Sequence, residues 1–270
     1  MRQNPRRSAV RTSMGRRIAS AVIAAMAGLF ALFGQSDPSM AQVQGGDGVD
    51  TALVIAVDVS NSVDDHRYEL QMQGIASALE DKGVVSAVLT GPRGSILVTV
   101  VTWSDRAQVA VPWMRIASEA DASAVAHKVR ELPRFTGEFT CMATMMRFVN
   151  DKILPQVPVN ALRTVVDVSG DGADNCNARE PVAAVRDEIA SYGTTINGLP
   201  ILEGSEAATL EEWYRNNVMA GPGSFILPAD GFDDFGRAIK QKFIVEISGV
   251  DRWLLQRARA MGPTARIASE

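Results

Sequence analysis

The sequence predicts an α/β fold in which a doubly wound, mostly parallel six-stranded sheet is covered by helices on both faces. Two observations support this prediction. Short β-branched runs alternate with longer segments of helical periodicity along most of the chain. The run 52–57 is apolar at every position, which is typical of a central strand that is buried on both faces. With 270 residues, of which 46% are hydrophobic, the chain is long enough for one sizeable core.

The strands are predicted from short apolar runs that end at turn residues. The third strand is expected to pair antiparallel with the second, at an edge of the sheet, because only the short turn 104–106 separates them. The six predicted strands are 52–57, 95–103, 107–113, 163–168, 194–201 and 224–227.

The helices are predicted from apolar residues at spacings of three and four. The first begins at Asp64 and Asp65, whose negative charges favour a helix N-terminus, and Gly83 is expected to end it. A row of methionines in the third helix is more typical of a core than of a binding groove. The predicted helices are 64–81, 118–132, 142–153, 180–192, 209–219 and 232–247.

The first 41 residues are predicted to be a secretory signal peptide. Six arginines precede an apolar stretch at 18–33, and Ser39-Met40-Ala41 forms a small-x-small cleavage site before Gln42. An uncleaved membrane anchor is the alternative, for which about 16 apolar residues are marginal. We expect cleavage near Gln42 and a periplasmic or secreted protein with no membrane span in the mature chain.

The mature chain is expected to contain one domain. Residues 42–50 are rich in Gly and predict a flexible lead-in, 51–248 form the domain, and 249–270 form a helical stub and a tail. Beyond residue 41 the chain has 30 acidic and 21 basic residues, which argues against a nucleic-acid partner. The sequence contains no zinc motif, no nucleophile elbow and no phosphate-binding glycine loop with lysine.

Polar side chains follow two of the predicted central strands. Asp58, Ser60 and Ser62 come after the first strand, and Asp171 comes after the fourth. A third loop, which precedes the helix 142–153, contributes Thr140. Because ligands bind outside the carboxyl ends of such strands, we expect these side chains to meet at one edge of the sheet. An all-oxygen cluster suits a hard divalent cation such as Mg²⁺.

At these residues the sequence resembles the von Willebrand factor type A domain, a Rossmann-like fold, with its metal-ion-dependent adhesion site. The family pattern Asp-x-Ser-x-Ser matches residues 58–62, and its Asp-Gly after the fourth strand matches 171–172. Thr140 matches the loop threonine, with Thr136 as the alternative. The form Ser-Gly-Asp-Gly-x-x-Asn at 169–175, together with the signal peptide, looks most like a bacterial family of secreted type A proteins of unknown function.

The resemblance implies a function and a ligand set. Ser60, Ser62 and Thr140 would bind Mg²⁺ or Mn²⁺ directly, Asp58 and Asp171 would bind through water, and an acidic side chain of a partner protein would complete the shell. The protein is then a cation-dependent binding module and not an enzyme. The alternatives are a Mg²⁺-dependent hydrolase that uses the two aspartates, and a metal-free structural domain in which they cap helices.

The two cysteines lie next to these loops. Cys141 follows Thr140 directly, and Cys176 lies five residues beyond Asp171. If both loops border the metal, a disulfide between the cysteines is expected to hold the rim together. Two free, buried thiols are the alternative.

Overall fold

The computed structural model describes residues 48–176 and 179–248, which contain a five-stranded sheet with helices on both faces. The spatial order of the strands is β3-β2-β1-β4-β5, and β3 runs antiparallel to β2. The strands are β1 (Val49–Asp58), β2 (Ile96–Trp103), β3 (Ala107–Ile116), β4 (Ala161–Gly170) and β5 (Thr195–Pro200). The remaining strand pairs are parallel, so the predicted fold class and its antiparallel edge strand are confirmed.

The predicted sixth strand at 224–227 is wrong. This segment runs beside β5, but it forms only isolated β-bridges within the described residues. The amides of Leu227 and Ala229 each donate to a carbonyl of β5 at 3.0 Å. The bond that would join the bridges is missing because Pro200 of β5 has no amide hydrogen to donate to the Leu227 carbonyl, so a continuous ladder cannot form.

The helices match the predicted segments, with one addition. The additional helix, α2, covers Lys82–Leu89. The prediction has no helix there, because it ends the first helix at Gly83. The Asp81 carboxylate instead accepts a hydrogen bond from the Gly83 amide at 2.9 Å and so begins a new helix. α4 continues into a π-helical segment, Val149–Ile153. The helices are α1 (Asp65–Leu79), α2 (Lys82–Leu89), α3 (Glu119–Arg130), α4 (Met142–Phe148), α5 (Val182–Ser191), α6 (Ala207–Asn217) and α7 (Phe235–Ser248).

The sheet begins earlier than predicted. β1 includes Val49 and Asp50, which the prediction assigns to a flexible lead-in, and both residues are buried. The Asp50 amide donates to the Ser95 carbonyl at 2.8 Å, and its carboxylate accepts from the Arg93 amide at 3.0 Å. These contacts extend the strand by pairing its backbone with the start of the neighbouring strand.

The predicted signal peptide at 1–41 and the predicted tail at 249–270 lie outside the described residues. Among the residues that the structure describes, no helix has the length and hydropathy needed to cross a membrane.

Each face of the sheet has its own apolar core. Leu53, Ile55 and Val57 lie in the core that α1, α2, α3 and α7 cover. Val54 and Ala56 lie in the core that α4, α5 and α6 cover. Because alternate residues of β1 face opposite helix layers, every position of this strand is buried, which explains its uninterrupted apolar run.

A cluster of charged side chains lies between the sheet and α7. The fully buried ammonium of Lys242 is 3.2 Å from Asp167 Oδ1 and 3.0 Å from Glu246 Oε1. Asn197 donates to the same Glu246 oxygen at 2.7 Å, and the ammonium lies 4.5 Å from the centroid of the Phe225 ring. Two carboxylates share one cation, so burial together with the charge of Glu246 raises the pKa of Asp167 to about 8.

Removing the cation of this cluster is expected to destabilise the fold far more than removing one of its two acids. Lys242→Met leaves the buried Glu246 carboxylate without its cation, beside the protonated Asp167, and should lower the free energy of unfolding by about 3–5 kcal/mol. Asp167→Asn leaves one carboxylate paired with the lysine and should cost less than about 1 kcal/mol. Urea denaturation of both variants measures these values, and equal losses would contradict the role assigned to Lys242.

The raised pKa of Asp167 also predicts a pH dependence of stability. Between pH 3.8 and about 8 the folded protein holds a proton on Asp167 that the unfolded chain has released. The contribution of Asp167 to the free energy of unfolding is therefore fully present below pH 3.8 and is lost as the pH rises toward about 8. Thermal unfolding across this range should show a smaller decline in Asp167→Asn than in the unmodified protein, and parallel curves would exclude the effect.

Candidate metal centre

Asp58 is the last residue of the central strand, and its side chain is completely buried. Its Oδ1 atom accepts a hydrogen bond from the Ser60 amide at 2.8 Å. This Asx turn leads the chain out of the sheet and brings the hydroxyl groups of Ser60 and Ser62 to within 3.3 Å of each other. The Gln71 side chain donates to the Asp58 carbonyl at 3.1 Å and holds the end of the strand against α1.

The structure brings all five predicted site residues together. Thr140 Oγ1 lies 3.4 Å from Ser60 Oγ, and Ser62 Oγ donates to Asp171 Oδ1 at 2.8 Å. Asp58 joins this set through the amide of Ser60. A continuous series of contacts therefore links oxygen atoms from three loops at one edge of the sheet.

The structure also distinguishes the two threonines that the sequence left open. Thr140 is 5% exposed, and its hydroxyl lies against Ser60. Thr136 is exposed, four residues earlier in the same loop. The oxygen cluster therefore includes Thr140.

The loop after β4 fixes the position of Thr140. The Thr140 amide donates to Asn175 Oδ1 at 2.8 Å, and the Asn175 amide donates back to the Thr140 carbonyl at 3.2 Å. Asp174 accepts from the amide of Ala143, in the first turn of α4, at 3.0 Å. The predicted disulfide is present, with the Cα atoms of Cys141 and Cys176 5.1 Å apart. These two loops are thus joined by hydrogen bonds and by a covalent bond.

The end of β2 holds the Thr140 loop from the other side. The Asp105 carboxylate accepts hydrogen bonds from the amides of Phe139, at 2.7 Å, and Glu138, at 3.2 Å. A Cβ atom at Gly137 would lie only 2.5 Å from the Ser104 hydroxyl, so the loop approaches β2 too closely for a side chain there. Asp105 and Gly137 therefore fix the backbone that precedes Thr140.

The carboxylates of the cluster are in an unfavourable environment when no cation is bound. Burial, with Asp171 close by, raises the pKa of Asp58 to about 7. Burial also raises the pKa of Asp171. The Oδ2 atom of Asp58 is buried and has no hydrogen-bond partner among the described residues. A divalent cation would compensate both charges and satisfy this oxygen through its coordinated water.

The donor set fits a hard cation. It consists of two carboxylates and three hydroxyl groups, all of them oxygen donors, which suit Mg²⁺ or Mn²⁺ better than a soft metal. Within the described ranges, no three His, Cys, Asp or Glu side chains form a metal-binding group, so any site here depends on the hydroxyl groups.

Three charged residues that are absent from the predicted set line the same pocket, which has a volume of about 210 Å³. Arg67 donates to the Ser62 carbonyl at 2.6 Å and to Glu203 Oε1 at 2.5 Å. Glu206 accepts from the Ala173 amide at 2.8 Å. Both glutamates follow β5, so the rule that places ligands at the carboxyl ends of strands also identifies them, whereas Arg67 has no such signal.

Tyr214 of α6 is a further polar residue near the cluster that is absent from the predicted set. Its side chain is completely buried, and its hydroxyl has no hydrogen-bond partner among the described residues. Burial, together with the negative charge of Asp58, raises its pKa well above the usual value. In the sequence, a buried tyrosine in an amphipathic helix is indistinguishable from any other core residue.

Solved structures similar to this chain have the von Willebrand factor type A fold. Proximal thread matrix protein 1 from the mussel byssus has a TM-score of 0.55 at 17% identity, covering 74% of this chain and 47% of that chain. Another structure of that protein has a zinc-occupied MIDAS motif, with a TM-score of 0.53 at 18% identity, covering 73% and 45%. A von Willebrand factor type A protein from Catenulispora acidiphila has a TM-score of 0.54 at 16% identity, covering 74% and 43%.

The chain spans less than half the length of these solved structures, and at such identities the likeness shows the fold. The comparison with curated proteins finds no significant match. One family model, described as "Protein of unknown function (DUF1194)", matches residues 48–251. Since this match covers well over half of the chain, the protein belongs to the DUF1194 family, and it has a von Willebrand factor type A fold.

Proposed function

We propose that this chain is a divalent-cation-dependent protein-binding module, in which bound Mg²⁺ or Mn²⁺ coordinates an acidic side chain of a partner. The observation that carries this proposal is the convergence of Asp58, Ser60, Ser62, Thr140 and Asp171. The hydroxyl groups would bind the cation directly and the aspartates through water. The zinc-occupied MIDAS motif in a mussel byssus protein of the same fold supports a divalent cation at this position.

The chemistry of the donor set favours an acidic partner. The three groups that would bind the cation directly are neutral hydroxyl groups, because the aspartates would bind through water, so the inner coordination shell still favours an anionic ligand. Ser62, Thr140 and Asp171 line the pocket, so an incoming ligand can reach the donor set from this side. A carboxylate is the hard, anionic side-chain group that best fits this inner shell.

Exposed aromatic side chains next to the site favour a protein partner over a small anion. Phe135 is 56% exposed and Phe139 is 49% exposed, and both lie in the loop that carries Thr140. Because Asp105 holds the backbone of this loop, Phe139 is presented on a rigid base. Aromatic residues beside a polar anchor are characteristic of protein interfaces.

The proposed location is the periplasm or the exterior of the cell. The Cys141–Cys176 disulfide supports this location, since such bonds persist in oxidising compartments. The signal-peptide pattern at 1–41 points the same way.

The cation site predicts a clear order of effects in calorimetric titrations with Mg²⁺ and Mn²⁺. Asp58→Ala should abolish saturable binding, because it removes the central carboxylate. Thr140→Ala should raise the dissociation constant by about tenfold or more, because it removes one donor. Thr136→Ala is the matched control and should bind like the unmodified protein. Unchanged binding by Asp58→Ala would show that the assignment of the site is wrong.

The partner chemistry can be tested with peptides. Peptides selected from a random display library on the Mn²⁺-loaded protein should contain an acidic residue, and they should be released by chelator. Resynthesis of each peptide with Gln for Glu or Asn for Asp should abolish binding, because an amide is a much weaker ligand for the cation. Phe139→Ala should weaken binding of the acidic peptides without changing cation affinity. Selected peptides that bind equally well in chelator would argue against cation-dependent recognition.

A further inference from the structure

Two buried polar atoms near the end of β1 face the same small space. Asp58 Oδ2 and the Tyr214 hydroxyl both lack a hydrogen-bond partner among the described residues. A Cβ atom on Gly170 would lie 2.9 Å from Asp58 Oδ2 and 2.8 Å from the Tyr214 hydroxyl. The two atoms therefore border one point, directly beside the last residue of β4.

The packing of α6 fixes the Tyr214 hydroxyl at this point. The ring lies in the same apolar core as Val54 and Ala56, the β1 residues that share a face with Asp58. Trp213 meets it edge to face, with ring centroids 5.8 Å apart. A fully buried ring that is packed on several sides has few rotamers, so its hydroxyl has a defined position.

Gly170 provides the space for this approach. Its backbone is outside the left-handed region, so its conformation does not demand glycine. Any side chain at this position would instead collide with both Asp58 and Tyr214. The absence of a Cβ atom leaves room for the carboxylate and the phenol to interact across the end of β4.

We propose that Tyr214 is a positioning residue for the candidate cation site, and this inference rests on the proposed function. Its hydroxyl donates to Asp58 Oδ2 through one water molecule. The Ser60 amide already donates to Oδ1, so a second donor at Oδ2 fixes the plane of the carboxylate. The carboxylate is then oriented toward the water ligands of the cation. A phenol is protonated at neutral pH and supplies this hydrogen bond without adding charge.

The test is calorimetric titration of the full chain with Mn²⁺. Tyr214→Phe removes one hydroxyl group and should raise the Mn²⁺ dissociation constant by about tenfold, the usual effect of losing a partner that orients a metal ligand. Tyr192→Phe is the matched control, because this tyrosine is 74% exposed, and it should bind like the unmodified protein. An unchanged dissociation constant in Tyr214→Phe would overturn the inference alone, whereas no Mn²⁺ binding by the unmodified protein would overturn the proposed function and this inference together.

A second measurement tests the contact without any metal. Melting temperatures are compared in chelator for the unmodified protein, Tyr214→Phe, Asp58→Ala and the double variant. The loss caused by Tyr214→Phe should be larger when Asp58 is present than in the Asp58→Ala background, because only Asp58 provides the acceptor. Equal losses in the two backgrounds would refute the contact, whatever the cation titrations show.

Discussion

The buried carboxylate of Asp58 is the group on which the arrangement of this edge of the sheet depends. An ionised carboxylate loses its hydration when it is buried, and the cost is several kcal/mol unless hydrogen bonds or an opposite charge replace the water. The Ser60 amide supplies one hydrogen bond. The raised pKa, about 7, shows that this compensation is incomplete. A site that is unfavourable when empty gains more from a cation than a solvated carboxylate would.

The loops around Asp58 are held to one another as well as to the sheet. Asn175 pairs with both backbone groups of Thr140, and the Cys141–Cys176 disulfide joins the same two loops. Asp105 anchors the other side of the Thr140 loop to the end of β2. The hydroxyl groups are therefore held in place before any ligand arrives, which lowers the entropic cost of binding.

The sequence predicts those parts of the site that follow from local pattern. Asp58 and Asp171 come directly after apolar runs, so the topology of a parallel sheet is enough to place them together. Tyr214 is different, because its relation to Asp58 depends on how α6 packs across the sheet and on the missing side chain of Gly170. Such a residue lies at no characteristic sequence distance from the motif residues, so a single sequence gives no signal for it.

The difference between local pattern and contacts outside it also explains the errors in the predicted secondary structure. The segment 224–227 has the composition of a strand, but Pro200 of β5 lacks the amide that would join its two bridges into a ladder. Gly83 is typical of a helix end, but the Asp81 side chain accepts a hydrogen bond from its amide and so starts α2. In both cases one hydrogen-bonding group decides the outcome, and it lies outside the pattern on which the prediction rests.

The charge around the pocket gives the proposed cation a second effect beyond coordination. Asp171, Glu203 and Glu206 line the pocket, whereas Arg67 is already engaged by Glu203. Without a cation, a partner carboxylate would meet a predominantly negative surface and be repelled. A divalent cation offsets much of this charge and supplies a positive centre at the position where the carboxylate binds. Under the proposed function, cation and partner therefore raise each other's affinity, and the coupling is reciprocal as thermodynamic linkage requires.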